Sequence, residues 1–158
     1  MRFDDIVKSI LEQNLNRPPV TQRDLDILAT LLVKEAGGES DYIAGMAGVM
    51  NVIVNRAKGN PANFVREATK RLQFSAFNTI KTPQQMDQLI AATKKHKAYA
   101  AAKEMAVKAV QGRLQDITSR STHYYAASGP NKIAPPTWAD PAKKTNKIGH
   151  HQFFSNIR

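Results

Sequence analysis

Two apolar helical patterns separated by a pair of glycines dominate this chain, and the first pattern ends in an acid where a hydrophobe belongs. In "QRDLDILATLLVKEAGGESDYIAGMAGVMNVIVNR", Leu25, Leu28, Leu31 and Leu32 recur at the spacing of one helix face. The next position on that stripe is Glu35, and Gly37 and Gly38 then interrupt the helix. Thr21 and Asp24 have the spacing of a capping box and predict its start. A second pattern over residues 41–58 carries Ile43, Met46, Ala47, Met50, Ile53 and Val54 on one side. Its small residues Ala44, Gly45, Ala47 and Gly48 allow close helix contact at some cost in helix propensity. This pair is predicted to be the core.

Other elements are arranged around it. Phe3, Ile6, Val7, Ile10 and Leu11 predict an amphipathic helix over residues 3–14, ended by "NRPP", which would cover the core. "NPANFVREATKRL" and "TPQQMDQLIAATKK" each place a polar cap residue before a proline at the first helical position. "HKAYAAAKEMAVKAVQG" predicts a longer helix up to Gly112, with Lys97, Lys103 and Lys108 on a solvated face. Beyond Gly112 the composition shifts to interleaved Pro, Gly, Ser and aromatics, where "THYYA" and "HHQFF" read as short strands and the rest as ordered loops.

At 158 residues with 42% hydrophobic content the chain is long enough for one globular domain and too short for two ordinary ones. The formal net charge of +10 therefore sits on a folded surface and points to an anionic partner: nucleic acid, a membrane surface or an acidic envelope polymer. With no cysteine there is no disulfide or thiol chemistry, and a zinc site would need histidines and carboxylates. His123, His150 and His151 lack the spaced pair with a nearby carboxylate that such a site requires, so neither metal nor other cofactor is expected. No phosphate-binding glycine loop, Ser-His-Asp order or nucleic-acid motif stands out. Asp4, Asp5 and Lys8 interrupt the first apolar pattern, so no signal peptide or membrane span is predicted. An enzyme acting outside the cytoplasm would then be released by another route or carried in a virion.

A carboxyl in the last turn of a helix faces the negative end of the macrodipole, and apolar surroundings disfavour its charged form. Both effects raise its pKa. An acid that keeps its proton near neutrality suits protonation of the leaving oxygen of a glycosidic bond. The plainer alternative is a glutamate at the stripe's edge that reaches water. Glu39, past the glycines, is either a second carboxyl that orients water or substrate, or a cap for the helix beginning near Ser40. In "LQFSAF", strand alternation would bury Phe74 between Gln73 and Ser75, whose polar groups suit an amino sugar or simply form a polar strand edge. Tyr124, Tyr125 and Trp138 are flat rings with polar handles, suited to stacking on pyranose faces, although one of them belongs in the core.

Three segments together resemble the cell-wall hydrolases of the spore-cortex-lytic (SleB-like) type. "LLVKEAGGESDYIAGMAGVMNVIVNR" is similar to that family's "EARGE" followed by a helix ending in "NR"; "LQFSAF" to its "QFSW"; and "THYYAASGPNKIAPPTWADPAKKTNKIGHHQFF" to its block of Tyr, "PSWA" and "IGGHxFY". They occur in family order from about Asp24 to Phe154. Gly37 stands where the family usually has arginine, Ala76 replaces a tryptophan, His150 a glycine and Phe154 a tyrosine. The resemblance implies an α+β, mainly helical lysozyme-like fold with a small antiparallel sheet, and the chain length and the first apolar pattern extend this to one catalytic domain over residues 1–158 with residues 1–20 as a covering helix. It implies cleavage of peptidoglycan glycan strands between N-acetylmuramic acid and N-acetylglucosamine, with Glu35 as catalytic acid and His151 as the histidine before "FY". Glu39, Gln73, Ser75, Tyr124, Tyr125, Trp138 and His151 are the substrate-binding candidates. A lytic transglycosylase is favoured over a hydrolytic muramidase because no second acid has a helical position facing Glu35. The rival from another class is a non-catalytic basic module binding wall polymer or nucleic acid. The expected partner is the glycan strand of periplasmic peptidoglycan, with no nucleic acid, acted on by a monomer; a phage lysin fits this description.

Overall fold

The computed structural model describes residues 2–6, 20–70 and 75–157, with Ser75 described by its backbone alone. Helix α1 (Gln22–Ala36) starts at a reciprocal capping box, in which the Asp24 N–H donates to Thr21 Oγ1 and the Thr21 N–H donates to the Asp24 carboxylate, both at 3.0 Å. Helix α2 (Tyr42–Arg56) is capped by Asp41, whose carboxylate accepts the Ala44 N–H at 3.3 Å. That contact fills the capping role for which Glu39 was an alternative. Helices α3 (Phe64–Thr69), α4 (Pro83–Thr93) and α5 (Tyr99–Val110) follow, and Asn60 and Thr82 cap the turns opened by Pro61 and Pro83.

Helix α1 is the central rod, packed against α2, α3, α4 and α5. Its Leu28, Leu31 and Leu32 have no exposure at all, nor have Met46, Val49, Met50 and Ile53 of α2. Such a rod is held by apolar burial worth about 1.5–3 kcal/mol per large side chain. Lys103 departs from the expected solvated face: its ammonium lies 3.0 Å from Asp26 and ties α5 to α1, whereas Lys97 sits over the Tyr42 ring and Lys108 pairs with Glu104 along the helix. The expected covering helix lies mostly outside the described residues. Residues 3–6 are helical, but Phe3 and Ile6 are exposed, so this turn does not cap the core.

The sheet is antiparallel with strand order β1 (His123–Ala126), β3 (His151–Phe154), β2 (Lys144–Ile148). Strand β2, "KTNKI", was expected to be loop. It is a lysine-rich edge strand with an irregular register between Lys144 and Lys147, and such edges lack the apolar alternation that marks a strand in sequence. A two-residue turn joins it to β3, with Gly149 at φ +57°. The segment read as a strand in "LQFSAF" is, where described, a 3₁₀ turn over Ser75–Phe77, while Gln73 and Phe74 lie outside the described residues.

Two devices dock the sheet on α2. Asn51 donates to the Gln115 carbonyl at 3.0 Å and accepts the Ile117 N–H at 2.9 Å, and Asn55 donates to the Ser121 carbonyl at 2.8 Å. These bonds fasten the loop leading into β1. The fully buried Phe153 ring lies against Gly48, where a Cβ would come within 2.7 Å of it. The small residues of α2 thus make room for the sheet as well as for helix contact. Gly48→Ala should lower stability by about 1–3 kcal/mol through overpacking, despite the roughly 1 kcal/mol gain in helix propensity that alanine brings. Urea unfolding checks this: an unchanged or raised midpoint would mean that Phe153 moves aside freely.

Candidate active site

The end of α1 and the sheet enclose a groove of about 630 Å³, with Glu35, Arg56, Tyr124, Tyr125, Trp138 and His151 among its lining residues. Glu35 is the only carboxyl among the described residues that line it. It is partly buried, and the loss of water around it raises its pKa above 4.5. Two donors act in the opposite sense: the Ala76 N–H at 3.4 Å from Oε1, and the Tyr124 hydroxyl. The turn at Ser75–Phe77 therefore reaches the site through its backbone.

Strand alternation divides the aromatic candidates between two faces. Tyr124 points with His151 and Phe153 toward the helices; its ring meets His151 edge-on at 4.8 Å and tilts against Phe153 at 5.4 Å. Its buried hydroxyl, beside Glu35, has a pKa pushed well above 10, first by burial and then by the Glu35 charge. Tyr124 is thus the core member of the aromatic trio. On the other face Tyr125 stacks on Phe154 at 5.8 Å and 24°, with Trp138 edge-on to Phe154 at 5.3 Å. Tyr125 and Trp138 are held as a wall of the groove by a fully buried ring behind them.

Glu39 does not line the groove. Its side chain is 9% exposed, and its Oε1 lies 3.4 Å from the His150 N–H and 3.3 Å from Nδ1 of His151. Burial raises its pKa and holds the His151 pKa down to about 4. The contact therefore joins Glu39 to a neutral imidazole near neutrality. Gln73 is outside the described residues, and of Ser75 only the backbone is described.

Lys34, Arg56, Asn78, His123 and Asn131 also line the groove and were not expected as site residues from the sequence. Arg56 is the last residue of α2, and its Nε donates to the Thr122 carbonyl at 2.5 Å. Its place in the "NR" pair was the available signal. His123 packs on Trp138 at 5.0 Å, and burial together with Arg56 brings its pKa to about 4. Among the described residues no group of three or more His, Asp or Glu side chains is arranged to hold a metal, and no helix is long and apolar enough to cross a membrane.

A family model described as Cell Wall Hydrolase matches residues 40–154. The chain belongs to the cell wall hydrolase family. The matched region holds α2, the sheet and the aromatic wall, while Glu35 lies just before it. The fold is similar to that of the catalytic domain of the germination-specific lytic transglycosylase SleB from Bacillus anthracis, with a TM-score of 0.56 and 22% identity over 85% of this chain and 95% of that one. The curated proteins give no match. This cell wall hydrolase therefore has the mainly helical, small-sheet α+β architecture expected of it.

The electrostatics of Glu35 make a stability prediction for this cell wall hydrolase. A folded-state pKa above the ordinary 4.5 means that Glu35 stabilises the fold when protonated, and that this contribution is lost as pH rises through the folded value. Glu35→Gln should thus raise Tm relative to wild type at pH 7, with the difference shrinking as pH falls toward 4.5. Thermal melts of both proteins across this window provide the check. A Gln variant less stable than wild type at pH 7 would contradict the burial of the charge.

Proposed function

We propose that this enzyme cleaves the glycan strands of peptidoglycan at the linkage between N-acetylmuramic acid and N-acetylglucosamine, with Glu35 as general acid, and that it does so as a lytic transglycosylase. The observation that carries the reading is a single carboxyl, its pKa raised by burial, on an aromatic-walled groove that contains no second carboxyl among its described lining residues. Membership of the cell wall hydrolase family and the fold shared with a lytic transglycosylase support it.

In this mechanism Tyr125 and Trp138 offer flat surfaces to the sugar rings and Glu35 gives its proton to the glycosidic oxygen as the C1–O bond breaks. The resulting carboxylate is met by donors already in place, the Tyr124 hydroxyl and the Ala76 N–H, so no reorganisation is needed when the charge forms. The C6 hydroxyl of the muramic acid then attacks C1 and returns its proton to Glu35. The product is a 1,6-anhydro sugar, and the acid is restored without water. A hydrolase would use a second carboxylate, either as a base for water or as a nucleophile, and Glu39 lies away from the groove under the β2–β3 turn.

Glu35→Gln should leave the protein folded and reduce the release of soluble fragments from purified sacculi by roughly a hundredfold or more. Clearance near the wild-type rate would remove Glu35 from the acid's role. Mass spectrometry of the wild-type digest should show anhydro-muropeptides, and products ending only in reducing muramic acid would replace the transglycosylase with a muramidase. Binding to sacculi should weaken as salt is raised, since a chain of net charge +10 meets an anionic polymer whose field is screened over about 10 Å at 0.1 M. Binding that is indifferent to salt would mean that the basic surface takes no part in docking.

A further inference from the structure

Glu39 is a buried carboxyl that the mechanism above does not use, in surroundings built closely around it. Its Oε2 is shut off from solvent and has no hydrogen-bond partner among the described residues. Gly45, in the first turn of α2, and Gly149, in the β2–β3 turn, both face that oxygen, and a Cβ on either would lie 2.3 Å from it. These glycines come from distant parts of the chain and leave the same space open. A carboxyl is costly to bury without a compensating interaction. Its other oxygen supplies one by accepting the His150 N–H at 3.4 Å, and it lies 3.3 Å from Nδ1 of His151, which has no hydrogen-bond partner among the described residues.

We infer that Glu39 is a positioning residue of the active site: it fixes the β2–β3 turn and the His151 ring, and through them the face of the sheet that holds Tyr124 against Glu35. The inference rests on the reading of Glu35 as the acid. Nδ1 of His151 faces Glu39 Oε1 at 3.3 Å without the geometry of a hydrogen bond, and a carboxylate at that distance favours the Nδ1–H tautomer of the neutral ring. The orientation so imposed matters because the His151 ring supports Tyr124 edge-on at 4.8 Å, and the buried Tyr124 hydroxyl lies beside Glu35, whose pKa it lowers. Displacing the carboxyl lets the turn and the ring shift together. The Tyr124 hydroxyl then no longer stands ready for the charge that forms on Glu35.

Glu39→Gln and Gly45→Ala test this independently. The first keeps the side-chain shape but offers an N–H where the carboxylate accepted one. The second pushes the carboxylate with a methyl group while favouring the helix that bears it. Rates on soluble glycan fragments should show kcat reduced by about ten- to a hundredfold in each variant, with KM nearly unchanged, since the Tyr125 and Trp138 wall offered to the sugar rings is untouched. Nitrogen-15 NMR of the resting protein should show the Nδ1–H tautomer of His151 in wild type and its loss in Glu39→Gln.

A folded Glu39→Gln variant with wild-type kcat, or with an unaltered His151 tautomer, overturns the inference, as does a rise in KM with kcat unchanged. If Glu39→Gln does not fold, Gly45→Ala decides by the kinetic split. The Glu35→Gln variant keeps the two readings apart. Wild-type activity in it removes the acid assignment, while the His151 spectrum, measured without substrate, still reports whether Glu39 holds the ring.

Discussion

The structure depends on keeping one carboxyl out of water while leaving it open to a groove. Glu35 sits in the last turn of α1, the helix on which α2, α3, α4 and α5 pack, so its backbone is fixed by burial of Leu28, Leu31 and Leu32 rather than by local propensity. A loop could present an acid as well, but with the freedom that α1 denies it. The apolar core thus supports both stability and geometry, with burial supplying the pKa shift.

The sheet supplies what α1 alone lacks. Glu35 needs a donor that meets its charge once the proton has gone, and Tyr124 comes from nearly ninety residues along the chain. Its placement depends on the Asn51 and Asn55 side chains, which fasten the loop before β1 to α2, and on the bare Gly48, which lets Phe153 settle on the same helix. One face of α2 therefore packs in the core with α1 while other positions carry the sheet. Its many small residues weaken it as a helix and make it serviceable as a platform.

These relations differ in how far the sequence discloses them. The helix pair is legible because the stripes at 25–36 and 42–54 are long and strongly periodic, and Glu35 is conspicuous as an interruption of such a stripe. Strands β1 and β3 are legible as aromatic runs among turn residues, whereas β2 has no alternation to mark it and forms because β3 offers an edge. Glu39 could not be placed, since it follows two glycines and no periodicity carries across them. Its destination is set by Gly149 and His151, more than a hundred residues away, and such non-local packing leaves no local pattern. Arg56, Asn78 and Asn131 reach the groove for the same reason, each from a position that reads locally as a helix end or loop.

Two cations line the same groove as Glu35, and a cation near a carboxyl ordinarily lowers its pKa. Neither reverses the effect of burial here. Lys34 is exposed, and a charge in water at a few ångströms is worth only about 1 kcal/mol, less with salt. The Arg56 guanidinium is engaged elsewhere: it donates to the Thr122 carbonyl, and its field is shared with Glu67 and Tyr124. The influences on Glu35 are accordingly burial, then the Ala76 N–H, then Tyr124. The groove can present positive charge to an anionic polymer while the pKa of its acid stays raised, because the charges that favour docking are either solvated or already paired.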